Sequence, residues 1–143
     1  MNPHPPIHVY SRFETELAVR PDDIDMNRHV HNSRYFDYVL AARYDQMERC
    51  YRMSMEEFLK AGYSWVVEIA HVEYKRALSL GDTMIVRTWI AEIFKQGVKV
   101  QFEILRKQNG KLCCSGYFDY KMISVTTGRA EAIPGWITEK YSV

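Results

Sequence analysis

The fold is decided by residues 22–50, which read DDIDMNRHVHNSRYFDYVLAARYDQMERC. The first part of this stretch is polar, and in the second part apolar residues recur at spacings of three and four. Such spacing places side chains on one face of a helix, and it predicts a helix over residues 32–50. At about 1.5 Å per residue this helix is roughly 28 Å long, enough to fill the centre of a small domain. The residues expected on its buried face are Tyr35, Phe36, Val39, Leu40, Arg43, Tyr44 and Met47.

Strand patterns lie on both sides of this helix. Apolar and polar residues alternate over residues 13–20 and stop at Pro21, which predicts a half-buried strand. Ser54 and Glu57 match a capping box, so a second, short helix is expected over residues 55–61, ended by Gly62. The remaining chain has strand patterns over residues 65–74, 83–94, 98–106 and 112–125.

These elements predict an α+β fold. Four consecutive strands joined by short turns, such as the turn at Asn109 and Gly110, form an antiparallel meander. One face of that sheet needs a cover, and the long helix is the only element large enough to provide it. We therefore expect a curved antiparallel sheet of five to six strands wrapped around one long central helix.

Composition restricts the class of protein. The 143 residues include 19 Lys and Arg against 18 Asp and Glu, so a nucleic acid is not expected as a partner. The length fits one domain over residues 1–143, and no apolar run approaches the roughly 20 residues that cross a membrane. Residues 1–8, rich in proline and histidine, predict a flexible arm without a signal peptide. Three cysteines, two of them adjacent, favour a reducing cytoplasm over a disulfide framework.

The densest set of chemically capable side chains lies over residues 23–32, between the first strand and the long helix. The first turn of a helix leaves about four N–H groups unpaired and carries roughly half a positive charge. A carbonyl oxygen held there is stabilised as it becomes negative, as in an oxyanion hole. Asp25 lies a few residues upstream, and an ionised aspartate can attack a carbonyl carbon or activate a water molecule. The pattern predicts carbonyl chemistry at this helix start.

Residues 25–35, DMNRHVHNSRY, resemble the D-x-N-x-H-V-N-N-x-x-Y signature of hotdog-fold thioesterases. This group includes 4-hydroxybenzoyl-CoA thioesterase and the acyl-CoA and acyl-ACP thioesterases. The resemblance continues through the G-x-x-W-V-V strand at residues 62–67, through residues 74–77 and through the turn at Gly81 and Asp82. It therefore covers nearly the whole chain and implies a hotdog fold.

The resemblance also implies an activity and a set of site residues. The expected reaction is hydrolysis of an acyl-CoA, or of an acyl-ACP, to a free acid and a thiol, with no metal or redox cofactor. Asp25 matches the usual catalytic carboxylate, the backbone N–H near Asn32 the usual oxyanion donor, and Asn27 and His29 match catalytic residues of the acyl-ACP branch. The residues expected to bind substrate are His31, Ser33, Tyr35, Lys75 and Arg76. The resemblance further implies a homodimer or homotetramer, with strands paired edge to edge and sites at the subunit boundary.

Two positions depart from the family pattern. His31 stands where the family more often has Asn, and Arg28 stands where many members have Gly. Neither change removes the carboxylate. Arg28 adds a cation near the expected site, where it can alter substrate preference or bind a phosphate.

Each candidate also has a plainer structural interpretation. Asp25 can close its loop by hydrogen bonding to nearby backbone, Asp23 is expected to be a turn residue, and Asn32 is a good helix N-cap by type. Lys75 and Arg76 can simply be solvated at a strand end. Tyr35 fits the core as well as a pocket wall.

Other chemistries have weaker support. His29 and His31 form an H-x-H pair without a third ligand at a usual spacing, so a metal site is not expected. Asp37 and Glu48 on the long helix are alternative catalytic carboxylates. Cys113 and Cys114 lie in a predicted strand, where one of the two would pack as a small apolar residue. Serine hydrolase, P-loop and Rossmann signatures are absent from the sequence.

Two rival functions use the same scaffold. A hotdog hydratase or dehydratase needs a histidine five residues after its aspartate, and Val30 occupies that position here. A non-catalytic module that binds acyl-CoA would keep the same fold and pocket, and the sequence leaves this alternative open.

Overall fold

A computed structural model describes residues 10–143 of the chain. In this part of the chain five strands and three α-helices follow one another, with short 3₁₀ turns at Pro21–Asp23 and Asn32–Arg34. The elements are β1 (Arg12–Ala18), α1 (Tyr35–Arg49), α2 (Met55–Lys60), β2 (Tyr63–Tyr74), β3 (Thr83–Ile93), β4 (Gly97–Arg106), β5 (Leu112–Ser124) and α3 (Gly135–Tyr141). The arm predicted over residues 1–8 lies outside the described residues.

All five strands form one antiparallel sheet with the order β1-β3-β4-β5-β2. The strands predicted from the sequence are confirmed, but the meander covers only β3, β4 and β5. β2 pairs with β5 at the far edge, so the expectation that β2 and β3 are neighbours in the meander is wrong. Residues 75–82 extend up to about 26 Å, enough to cross the three strand spacings of about 4.8 Å that separate β2 from β3. A short connection therefore did not require adjacent strands.

The helix α1 packs its buried face on the sheet. Val39 and Ala42 are fully buried against Val86, Phe102 and other sheet residues of the main core. The expected buried face is correct in part, since Leu40 and Tyr44 are 38% and 46% exposed. The buried residues are Tyr35, Tyr38, Val39, Ala42, Arg43, Gln46 and Met47, a stripe rotated toward β1 and β3. Leu40 and Tyr44 instead border an open groove.

The short helix α2 begins and ends as its sequence predicts. The Ser54 hydroxyl accepts a hydrogen bond from the Glu57 N–H at 3.3 Å. Gly62 follows with a φ of +91°, a left-handed conformation that glycine adopts without strain.

The C-terminal helix α3 corrects the expectation that only strands follow α2. Its seven residues are too few for a stable isolated helix, so local pattern gave little signal. Packing stabilises it, because Ile137 is buried and the Tyr141 ring stacks on Tyr51 at 4.4 Å between centroids. Among residues 10–143, no helix is long and apolar enough to cross a membrane.

All three cysteines are free thiols. Cys113 and Cys114 are both buried, although only one of two neighbours in a regular strand faces the core. The register between β4 and β5 shifts next to Cys113, where Ile104 pairs with Cys114 and Leu105 pairs with Leu112. This irregularity turns both thiols inward, which corrects the expectation that one of them packs in the core.

The burial of these thiols predicts their reactivity. Desolvation raises the pKa of Cys113, and it raises the pKa of Cys114 to about 12, so neither forms a thiolate near neutral pH. We expect a thiol reagent such as DTNB to label only the half-buried Cys50 rapidly in the native protein, and all three cysteines in urea. The variant Cys50→Ser should lose the rapid phase. Rapid native labelling of Cys114, located by peptide mass, would contradict this expectation.

Candidate active site

The loop between β1 and α1 is held by backbone pairing on both sides. Ile24 pairs with Val30 and His29 pairs with Ser79 as isolated antiparallel bridges. The Val30 N–H donates to the Leu78 carbonyl at 2.8 Å. Residues 25–29 therefore form a closed turn, joined to the connection between β2 and β3.

Asp25 lies at the start of this turn and is half-buried. Its Oδ1 accepts hydrogen bonds from the N–H groups of Asn27 at 2.9 Å and His29 at 3.2 Å. These bonds are the loop-closing contacts that the plainer interpretation anticipated. Oδ2 has no hydrogen-bond partner among the described residues, so one carboxylate oxygen remains available for chemistry.

Arg28 occupies the tightest point of the turn. Its φ of +64° lies in the left-handed region, which costs a residue with a Cβ roughly 1–2 kcal/mol. This explains why many members of the group have glycine at the same position. The arginine side chain is exposed, and within residues 10–143 no carboxylate forms an ion pair with it.

His31, and not Asn32, is the N-cap of the first helical turn. Its Nδ1 accepts from the Ser33 N–H at 3.1 Å and lies 2.7 Å from the Ser33 Oγ. Because a backbone N–H can only donate, Nδ1 is the unprotonated ring nitrogen. The expectation that Asn32 caps the helix is wrong, since the ring of the preceding residue already takes the capping position.

The Asn32 N–H is left without an acceptor by this arrangement. The Ser33 N–H is taken by His31, and the His31 N–H donates to the Asp23 carbonyl at 2.9 Å. In the described chain no acceptor lies within hydrogen-bond distance of the Asn32 N–H, while the Asn32 carbonyl accepts from the Tyr74 hydroxyl at 3.0 Å. Of the expected oxyanion donors at residues 31–33, only that of Asn32 is unoccupied.

Asn27 and His29 lie at the surface of the same turn, and within residues 10–143 neither side chain has a hydrogen-bond partner. Tyr35 lies in the core instead of a pocket wall: it is 2% exposed and its hydroxyl accepts from the Leu78 N–H at 3.1 Å. Burial raises the pKa of this phenol.

The two basic residues after β2 are exposed. The Lys75 Nζ lies 3.1 Å from a Glu73 carboxylate oxygen, and the Arg76 guanidinium donates to the Leu112 carbonyl at 3.1 Å. Of the alternative carboxylates on α1, Asp37 is paired with Arg34 at 3.6 Å, and Glu48 is exposed.

Sequence reasoning undervalued Asp23, which it expected to be a turn residue. The carboxylate is 7% exposed, accepts from the Tyr38 hydroxyl at 2.6 Å and lies 3.6 Å from the Arg34 Nε. Burial, together with this acceptor, raises the pKa of Tyr38 to about 12. Tyr38 follows Asp23 by fifteen positions, so no local sequence pattern indicates this contact.

A groove of about 230 Å³ opens beside α1. It is mostly apolar and passes between α1, β2, β5 and α3. Its lining residues are Leu40, Arg43, Tyr44, Met47, Met55, Trp65, Val98, Tyr120 and Tyr141. The sequence analysis placed four of these residues, Leu40, Arg43, Tyr44 and Met47, on the buried face, because helical periodicity does not distinguish a buried face from the wall of a groove.

The chain belongs to the thioesterase-like superfamily, whose family model matches residues 19–141. It is 25% identical over 129 residues to the long-chain acyl-CoA thioesterase FadM of Escherichia coli, covering 90% of this chain and 96% of that protein. The predicted hotdog thioesterase family is thus confirmed.

Solved structures confirm the fold. A DHNA-CoA thioesterase from Staphylococcus aureus is 22% identical, with a TM-score of 0.84 over 92% of this chain and 89% of that one. The protein SAV2348 from Staphylococcus aureus, solved in complex with CoA, is 19% identical, with a TM-score of 0.79 over 95% of this chain and 85% of that one.

The capping contact gives a stability prediction. Replacing His31 by Ala removes the acceptor for the Ser33 N–H and should lower the free energy of unfolding by about 1 kcal/mol. His31→Asn, the residue common in the family, should keep most of the stability because its side-chain oxygen also caps. Urea denaturation measures both variants. Equal stability of His31→Ala and the wild type would show that the imidazole does not cap the 3₁₀ turn Asn32–Arg34 that leads into α1.

Proposed function

We propose that the protein hydrolyses the thioester of an acyl-CoA to a free carboxylic acid and coenzyme A. One observation carries the proposal: an unoccupied N–H at Asn32 begins the central helix, seven residues after a carboxylate with one unoccupied oxygen at Asp25. Loop 25–29 and the helix start are bound to each other through Asp23 and His31. The membership in the thioesterase-like superfamily supports this assignment.

The thioester carbonyl oxygen would accept the Asn32 N–H. Negative charge develops on this oxygen in the transition state, where the N–H and the positive end of the helix dipole stabilise it. A donor that is already fixed needs no reorganisation at that moment. The His31 and Ser33 contact contributes by fixing the direction of the neighbouring Asn32 N–H.

Asp25 would attack the carbonyl carbon through Oδ2, or remove a proton from a water molecule that attacks it. The two N–H bonds to Oδ1 hold the carboxylate in one orientation. Asn27 and His29 have unoccupied polar groups on the same turn and would position the water or the substrate. The proposed reaction uses no metal or redox cofactor, and coenzyme A enters only as part of the substrate.

The phosphates of coenzyme A would meet cations at the edge of the site. Arg28 lies on the turn that carries Asp25, and Lys75 and Arg76 follow β2, whose last residue Tyr74 contacts Asn32. Guanidinium and ammonium groups both bind phosphate. The free thiols at three cysteines support a reducing compartment, and we propose the cytoplasm.

Asp25→Asn tests the catalytic carboxylate. The amide oxygen can still accept the N–H groups of Asn27 and His29, so the loop should keep its structure, while nucleophilic and basic character are lost. We expect kcat to fall at least about 10²-fold, measured by the loss of thioester absorbance with a panel of acyl-CoAs. The exposed Asp22, which pairs with Arg20 at 2.8 Å, supplies the control Asp22→Asn.

Two outcomes would contradict this assignment. Wild-type rates in Asp25→Asn would exclude the carboxylate as the catalytic group. Binding of acyl-CoA without turnover by the wild type would favour the non-catalytic module. Turnover of acyl-ACP but not of acyl-CoA would show that the substrate's carrier is a protein instead of coenzyme A.

We further propose that two copies pair along β2. This strand lies at the edge of the sheet, and its Val66, Val67 and Ile69 are between 37% and 48% exposed. An open edge with exposed apolar side chains is unfavourable in water and templates pairing with another strand. The second edge and the uncovered face leave room for a tetramer.

Ile69→Lys tests this surface. A charge on the edge strand should shift the protein from dimer or tetramer to monomer in size-exclusion chromatography with light scattering. Leu59 on α2 is 49% exposed and provides the control Leu59→Lys, which should keep the wild-type mass. A wild type that is monomeric at micromolar concentration would contradict the proposed pairing.

A further inference from the structure

Arg43 is a buried cation without a counter-ion. It projects from the middle of α1, is 7% exposed, and lines the apolar groove. Its Nη1 donates to the Thr88 hydroxyl at 3.3 Å, and its guanidinium lies over the Tyr51 ring, 5.3 Å from the centroid. Among residues 10–143, no carboxylate lies within ion-pair distance of it.

Other arginines of the chain are more exposed and nevertheless paired. Arg87 contacts Glu14 at 2.9 Å, Arg106 contacts Asp82 at 3.2 Å, and Arg49 contacts Asp45 at 2.9 Å. Burying an unpaired charge is strongly unfavourable, so buried charges are normally paired. Arg43 is buried without a carboxylate partner from the described chain. This indicates that a ligand supplies the carboxylate.

Two phenol hydroxyls near Arg43 also lack hydrogen-bond partners among residues 10–143. They belong to Tyr120 and Tyr51, and both are buried. Tyr120 lines the same groove as Arg43. Burial raises the pKa of Tyr120, and the charge of Arg43 acts against this shift, because the two groups are close. An N–H donor group at Arg43 and an O–H donor at Tyr120 thus line the same, otherwise mostly apolar groove.

A chain of side-chain hydrogen bonds holds Arg43 in its orientation. Thr88, which accepts from Arg43, donates its own hydroxyl to the Gln46 amide oxygen. The Gln46 amide donates in turn to Thr15, which donates to the Asp45 carboxylate at 2.6 Å. This chain uses one of the five N–H donors of the guanidinium, and leaves the others for a ligand in the groove.

The proposed oxyanion donor Asn32 precedes Arg43 by eleven positions, about three turns of an ideal helix. Asn32, Phe36 and Leu40 follow at intervals of four residues, and Leu40 lines the groove beside Arg43. Eleven positions correspond to about 16 Å along the axis at about 1.5 Å per residue. The reach of the arginine side chain shortens this span, so an acyl chain of medium length would connect the two positions.

We propose that Arg43 and Tyr120 bind a carboxylate at the far end of the acyl group, so that the preferred substrates are acyl-CoAs derived from dicarboxylic acids. This inference rests on the proposed thioesterase function and specifies its substrate class. Arginine has only donors, so the recognised group must be an acceptor. A carboxylate also supplies the missing negative charge, which a methyl end or a hydroxyl does not.

Suberyl-CoA and octanoyl-CoA test the proposal, because they have equal chain length and differ in the terminal group. For the wild type we expect kcat/KM to be about 10- to 100-fold higher with suberyl-CoA, the range of a hydrogen-bonded charge. In Arg43→Met, kcat/KM should fall with suberyl-CoA and stay the same or rise with octanoyl-CoA, so that the preference is lost. In Tyr120→Phe, kcat/KM should fall several-fold with suberyl-CoA and stay unchanged with octanoyl-CoA. Tyr117→Phe, the same change on β5 away from the groove, should keep the wild-type ratio.

Several results would overturn the proposal. A wild-type preference for octanoyl-CoA would overturn it. An equal loss of kcat/KM with both substrates in Arg43→Met would also overturn it, because Arg43 would then have a structural role or pair with a carboxylate of a second subunit. If Arg43→Met does not fold, the ratio in Tyr120→Phe decides. Failure of the wild type to hydrolyse either ester would count against the thioesterase function. Calorimetry with free octanoate and with octan-1-ol then tests the carboxylate site separately, because it requires binding of octanoate that is lost in Arg43→Met and no comparable binding of octan-1-ol.

Discussion

The hydrogen bond between Tyr38 and Asp23 joins the two parts of the proposed site. Asp23 belongs to the loop that carries Asp25, and Tyr38 belongs to the helix whose first turn carries Asn32. The same aspartate accepts the His31 N–H through its backbone and lies near Arg34 through its carboxylate. Because the pair is buried, water does not compete for these bonds. The position of the carboxylate relative to the helix start is thereby held by contacts within one chain.

Hydrogen bonds to the neighbouring N–H groups leave Asn32 as the proposed oxyanion donor. A helix start offers several unpaired N–H groups, which by themselves do not form a specific site. Here His31 donates to Asp23 and Ser33 donates to the His31 ring, so each neighbour of Asn32 is satisfied. Tyr74 fixes Asn32 from the carbonyl side. Among N–H groups 31–33 of the described chain, only that of Asn32 is thus unoccupied, and a fixed donor of this kind can stabilise one oxygen atom.

The proposed reaction and the proposed selectivity depend on different parts of α1 and its start. The 3₁₀ turn that leads into α1 carries the proposed oxyanion donor, while the middle of the helix presents Leu40 and Arg43 to a groove that α2, β2, β4, β5 and α3 complete. An apolar wall with one cation unpaired among residues 10–143 would combine chain binding with recognition of a terminal charge. Because α3 contributes Tyr141 to this wall, a helix of seven residues affects the shape of the proposed substrate pocket.

Much of the fold was predictable because its signals are local. The alternation over β1, the turn at Asn109 and Gly110, and the cap at Ser54 each depend on a few neighbouring residues. The same holds for Asp25, whose place in a characteristic sequence pattern was visible without coordinates. Contacts between distant residues were not predictable in this way. A connection of eight residues allows β2 to lie next to β3 or at the far edge of the sheet, and in the structure it lies at the far edge. The helix α3 is stabilised by the stacking of Tyr141 on Tyr51, which is distant in sequence.

The amino-acid sequence alone determined the strands, the central helix and the chemical groups near its start, since periodicity and residue type specify them. Only the tertiary structure decided that His31 caps the helix, that Asp23 is buried against Tyr38, and that Arg43 faces a groove without a counter-ion. Hydrogen-bond pairing and burial depend on which distant residues arrive at the same place. A linear pattern lists the groups that can pair, and packing determines which of them do.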